Sequence, residues 1–139
     1  MNSETKKIKE EFIILGNIDI QPLISTRNFL QEAINSDPES KLEIAGTVQA
    51  FEICYELAWK FCKKVLFFKG VIVNSPRETF RQSAINGLIN NIENWFDYIA
   101  KRNITVHSYE DDILETIFPI IPFFLEDLNK LVDNLKSIE

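Results

Sequence analysis

The chain has one histidine, two cysteines and no Cys-x-x-Cys pair, so the usual ligand set of a structural zinc site is missing and no metal is expected. Cys54 and Cys62 lie about two helical turns apart in one apolar segment, which suits buried thiols better than a disulfide. Basic residues are in deficit, 15 against 21 acidic, and the formal net charge is -6. That excludes a broad nucleic-acid footprint and leaves room for a small local basic pocket. There is no uninterrupted span of about 18 apolar residues, so no membrane helix is expected. The opening MNSETKKIKEEF lacks the apolar run of a signal peptide, and a reducing cytoplasm is the expected compartment. Repeats and low-complexity linkers are absent as well.

What remains is 139 residues with 45% hydrophobic side chains, enough for one domain with a substantial core. The first nineteen residues are expected to be a partly flexible N-terminal extension, with the domain proper over 20–139. Within that extension Ile8, Phe12 and Leu15 are compatible with a short helix, while FIIL is equally compatible with a strand. Pro22 suits a first helical turn, and Leu23, Ile24, Leu30, Ala33 and Ile34 give an apolar face as far as Asn35. After the SDPES break, Ser40 and Glu43 have capping-box spacing.

Lys41–Lys69 carries the strongest periodicity. Ile44, Val48, Phe51, Tyr55, Ala58, Cys62 and Val65 recur at steps of three and four, and Ile53, Leu57, Phe61 and Phe68 form a second line. The polar remainder is narrow: Glu52, Glu56, Lys60 and Lys64. A helix of about 40 Å this apolar has to be covered from more than one side, by bundle partners or a second subunit. Trp59 suits either cover. Gly70 ends the helix, and the VIV run after it is too short to demand a sheet.

Ser75-Pro76-Arg77-Glu78 predicts a short helix stopped by Gly87. Asn90 or Asn91 then caps a fourth segment whose apolar stripe is Ile92, Phe96, Ile99, Asn103 and Val106. Polar Asn103 on that stripe would need hydrogen-bonding neighbours if buried. Ser108 and Asp111 repeat the cap spacing before a long stripe from Leu114 to Ile138, which Pro119 and Pro122 are expected to kink. The fold class is therefore all-α: an up-and-down antiparallel four-helix bundle with one additional short helix.

Chemistry-bearing groups concentrate in Tyr98–Tyr109, YIAKRNITVHSY, which holds the single histidine. Arg102, Asn103 and His107 crowd one helix end, and Tyr109 follows the turn. Such a cluster can hold a phosphate, move a proton, or offer a hydroxyl for modification. It can equally be a capped helix end, with Arg102 and His107 satisfying terminal carbonyls.

RNITVHSY, Arg102 through Tyr109, resembles the Arg-x4-His-x-Tyr motif of HEPN domains that pair with minimal nucleotidyltransferases. FEICYELAWKFCKKVL (Phe51–Leu66) and SPRETFRQSAINGLI (Ser75–Ile89) are similar to the nucleotidyltransferase substrate-binding protein family, which shares that fold. The resemblance implies a homodimeric bundle with the motifs near the subunit interface, and a nearby-encoded nucleotidyltransferase partner that would use ATP. The chain itself needs no cofactor. The resemblance further implies a HepT-like toxin component: a metal-independent endoribonuclease acting on RNA and silenced by tyrosine adenylylation. By that pattern Arg102 and His107 are catalytic, Asn103 supports them, and Tyr109 is the adenylylation site. The alternative is a non-catalytic nucleotide- or protein-binding bundle that only presents substrate to the nucleotidyltransferase.

RNA cleavage through its own 2'-hydroxyl needs a proton acceptor, a proton donor and stabilisation of charge on the phosphorus oxygens. His107 suits one proton transfer near neutral pH and Arg102 suits the phosphate. One histidine per chain is sparse for two transfers, and a dimer with its axis near the motif would supply a second.

Overall fold

A computed structural model describes residues 12–105 and 109–138, and it is helical almost throughout. The expectation of a helix or a strand at FIIL resolves as a small antiparallel hairpin, β1 (Ile13–Ile14) paired with β2 (Ile18–Asp19), Ile14 opposite Ile18. Gly16 at φ +86° makes the turn between them. The hairpin is anchored at its inner side, because Ile14 and Ile20 are buried in the common core. Ile8 lies outside the described residues.

Five helical segments follow, in the order expected. Helix α1 (Gln21–Asn35) places Pro22 in its first turn and buries Leu23, Ile24 and Leu30. Helix α2 (Lys41–Phe68) starts on a capping box: the Glu43 amide donates to Ser40 Oγ and the Ser40 amide to Glu43 Oε1, each at 3.1 Å. It ends in a Schellman arrangement, with the Gly70 amide donating to Phe67 O and Val71 to Leu66 O, and Gly70 at φ +87°. Of the second apolar line on α2, Phe61 is buried and Leu57 half-buried, while Ile53 and Phe68 stay largely exposed. Helix α3 (Pro76–Ile85) is the short one, capped by the Ser75 hydroxyl accepting from the Glu78 amide at 3.2 Å.

Helix α4 (Ile92–Thr105) follows Asn91, whose carbonyl accepts from the Trp95 amide. Its inward face differs from the expected stripe. Trp95, Tyr98 and Thr105 are buried, while Ile92, Phe96 and Ile99 flank them half-covered and Asn103 is exposed. The larger rings take the centre because they bury more area and stack on one another. Asn103 therefore needs no buried network; Val106 lies outside the described residues. The last segment is broken, as its prolines predict, into α5 (Asp111–Ile117), a 3-10 turn (Phe118–Ile120) and α6 (Ile121–Lys136). Pro119 sits in the tight turn and Pro122 in the first turn of α6, where a missing N–H costs little. The residue in the cap position of α5 is Glu110, which corrects the expected cap at Ser108, a residue outside the described set.

Helix α1 packs along α2, α6 closes against α1, and α3 and α4 cover the remaining side of α2. The core is knitted by rings: Phe124 meets Phe51 at 4.8 Å and Tyr98 at 5.1 Å edge-on, and Phe80 stacks on Trp95 at 4.7 Å. Cys54 and Cys62 are free and buried, and burial pushes both thiols up to about 12, which makes them inert at neutral pH. Among the described residues, no helix is long and apolar enough to cross a membrane.

Candidate functional site

The C-terminal end of α4 points its last buried turn at the first half of α2. Trp95, Tyr98, Arg102 and Thr105 share one side of α4, so the rings that fill the core also aim Arg102 inward. Opposite stands Glu52 on α2, immediately after buried Phe51 and one turn before buried Tyr55. Its carboxylate meets two partners. Oε2 lies 3.3 Å from Arg102 Nη1, and Oε1 accepts a short hydrogen bond from the Tyr109 hydroxyl. Both charged side chains are mostly covered, Arg102 at 20% and Glu52 at 13% side-chain exposure.

This geometry removes one of the two readings of Arg102. A capping arginine would turn back to the carbonyls of its own helix end. Instead the guanidinium reaches across to another helix, and the Arg102 carbonyl is met by the Thr105 hydroxyl at 2.8 Å. The contact with Glu52 is an ion pair rather than a well-aligned hydrogen bond. Arg102 Nε and Nη1 are buried with no hydrogen-bond acceptor among the described residues. Buried donors without acceptors are costly, and a guanidinium carries its donors in a fixed fork. The Nε–H and the Nη1 hydrogens lie on different edges of that fork, so the acceptor missing at Nε is a separate one from the Glu52 carboxylate that faces Nη1.

Tyr109 is the exposed end of the constellation, at 40% exposure. Partial burial, then the hydrogen bond and the charge of Glu52, push its phenol up to about 12, with Arg102 opposing. At neutral pH the hydroxyl holds its proton and donates it to Glu52. Of the residues singled out from the sequence, Arg102 and Tyr109 thus meet on one carboxylate. Asn103 faces away, exposed on the next position of α4. His107 lies outside the described residues.

Glu52 is the residue that sequence reasoning passed over, as one of four polar positions on a narrow solvent strip of α2. A signal was present: a carboxylate between Phe51 and Tyr55, both on the inward line, has little room to be fully solvated. The fifty residues separating it from Arg102 hid the pairing. Tyr98, counted with the cluster from spacing, belongs to the core instead. Its hydroxyl donates a short hydrogen bond to buried Asp127 on α6, which also accepts from Asn94 Nδ2 at 3.1 Å.

Comparison with known proteins gives a consistent result. A family model described as nucleotidyltransferase substrate binding protein like matches residues 18–137. A Haemophilus influenzae protein named probable ribonuclease HepT is 30% identical over 121 residues, covering 82% of this chain and 80% of that protein. Among solved structures, one from Haemophilus influenzae is described as revealing the fold of a substrate binding domain of a nucleotidyltransferase. It superposes with a TM-score of 0.78 at 24% identity, covering 85% of this chain and 99% of that one. A Thermus thermophilus protein superposes with a TM-score of 0.75 at 22% identity, over 81% of this chain and 98% of its own. At these identities the two structures speak for the fold, and the helical bundle is shared.

Proposed function

The chain belongs to the nucleotidyltransferase substrate-binding protein family, and from that premise we propose that it is the HEPN-type partner of a minimal nucleotidyltransferase. In this reading it is a HepT-like toxin component, a metal-independent endoribonuclease that its partner silences by adenylylating Tyr109. The observation that carries the reading is the meeting of Arg102 and Tyr109 on Glu52, with the buried Arg102 Nε donor left without an acceptor among the described residues. Two residues of the Arg-x4-His-x-Tyr motif, seven positions apart, share one half-covered site. A phosphodiester that displaced the Glu52 carboxylate would meet the Arg102 guanidinium, and the charge developing on its oxygens would be stabilised in partly desolvated surroundings. His107 is the one imidazole of the chain and takes the proton-transfer role. Two transfers then require the histidine of a second subunit, so the active form is a homodimer whose axis passes near the motif.

A second reading has its own support. Glu52 already balances the Arg102 charge, and a carboxylate in front of a guanidinium repels an incoming phosphate. This favours a non-catalytic partner that presents a nucleotide or protein to the nucleotidyltransferase.

Cleavage of single-stranded RNA in the presence of a chelator separates the two. The ribonuclease reading expects cutting by the wild type and loss of it in His107→Ala with the fold intact by circular dichroism. Arg102→Lys is expected to be impaired too, because a point charge cannot replace a fork. Equal behaviour of wild type and His107→Ala would overturn the ribonuclease and leave the presenting partner.

A further inference from the structure

The C-terminal half of α2 has an unusual surface for so acidic a protein. Beside the hairpin, Lys60, Lys63, Lys64, Phe67 and Phe68 line an open groove of about 1060 Å³, with Asp19 on the opposite wall. The phenylalanines are 69% and 57% exposed in the last turn of the helix. Among the described residues, neither lysine at the centre of the groove is matched with a carboxylate. Lys63 Nζ lies 6.0 Å from the Trp59 ring and Lys64 Nζ 5.0 Å from the Phe61 ring. Lys60 has a loose pair with Glu56 at 3.9 Å. The acidic wall residue is engaged elsewhere, since Asp19 Oδ1 accepts from the Gln21 amide at the start of α1.

We propose that this groove is a binding site for single-stranded RNA, in which the lysines hold phosphates and Phe67 and Phe68 stack bases. Charge complementarity selects a polyanion: Lys60, Lys63 and Lys64 fall within little more than one helical turn of a chain whose net charge is -6. The aromatic pair narrows the class to a polyanion that also has flat apolar faces, which single-stranded bases present and a duplex hides. Lys60 to Phe68 spans about 12 Å of helix, so the lysines and the phenylalanines can engage neighbouring nucleotides of one strand. Trp59 and Lys63 fall on the same side of α2 as Glu52, about two and about three turns further along. A strand held in the groove can therefore run along that side toward Arg102. The site stands apart from the catalytic reading, because holding a strand requires neither cleavage nor His107.

The test uses the full chain and a fluorescein-labelled 2'-O-methyl oligouridine, which lacks the hydroxyl needed for self-cleavage, read by fluorescence anisotropy at low and moderate salt. Wild-type protein is expected to bind it. Lys63→Glu with Lys64→Glu should weaken binding at least about tenfold and reduce the salt slope by about two. Phe67→Ser with Phe68→Ser should weaken it about fivefold or more with the salt slope unchanged. All four positions are exposed, and circular dichroism of the variants serves as the fold control. Absence of binding by wild type at low salt, or charge-reversed protein that binds as well as wild type, overturns the proposal. So does equal competition by a polyglutamate of the same charge together with no effect of the phenylalanine changes; that result assigns the face to an acidic protein surface. Since the probe cannot be cut, failure here is distinct from failure of the ribonuclease reading.

Discussion

Two tyrosines in this bundle donate to carboxylates on other helices, with opposite consequences. Tyr98 and Asn94 both donate to Asp127, which is buried beside the rings of Trp95 and Phe124. The phenol, the amide and the carboxylate are all partnered there, and Tyr98 and Asp127 are buried, with Asn94 at the exposed rim. Tyr109 and Arg102 converge on Glu52 toward the C-terminal end of α4, yet Tyr109 is 40% exposed and two guanidinium nitrogens lack acceptors among the described residues. The same donor–acceptor chemistry thus acts as a strut where it is fully satisfied and makes a candidate site where it is not. Completeness and access distinguish them, not residue type.

The comparison breaks most visibly at Asp127. Asp127→Ala leaves the Tyr98 hydroxyl buried without an acceptor and should cost about 3 kcal/mol in urea unfolding. Ser75→Ala touches neither carboxylate and removes one cap, so about 1 kcal/mol is expected by the same method. No measurable loss would mean that the helix start does not rest on the serine. Glu52→Gln should also lower stability, because a mostly covered guanidinium loses its counter-charge, while altering the chemistry next to it. Without the carboxylate charge, the Tyr109 phenol should titrate earlier than about 12 in ultraviolet absorbance. A Tyr109 titration unmoved by this change would separate the two residues.

The pH dependence follows in sign. Folding raises the Tyr109 pKa, so its contribution to stability is complete below the ordinary tyrosine value near 10 and is lost as pH rises through about 12. Wild type should lose ground to Tyr109→Phe over that window and keep a constant difference below it. Light scattering offers a check of another kind: the proposed dimer requires twice the 16.2 kDa chain mass at micromolar concentration.

Local signals in the sequence were the legible ones. Ser40 with Glu43, Ser75 with Pro76, Gly70, Gly87 and the two prolines each act within one or two turns, and each helix boundary they imply is present. The bundle itself was legible from the alternating three-four spacing on α2 and α6. The face of α4 was misjudged because periodicity weighs Ile and Phe as strongly as Trp and Tyr, whereas ring stacking on Phe80 and Phe124 decided the rotation. Glu52 and Asp127 were invisible for a related reason. Each looks like one more polar residue until its partner, 50 or 29 residues away, is brought to it.

The most direct test of the account exposes the protein to the proposed partner nucleotidyltransferase and ATP, followed by intact-mass and peptide analysis. The account predicts adenylyl mass on Tyr109 and none on Tyr55 or Tyr98, whose side chains are buried. Tyr109→Phe should remain unmodified while still forming the complex. Complex formation with no adenylyl mass on the wild type, or with the mass on a residue other than Tyr109, would contradict it.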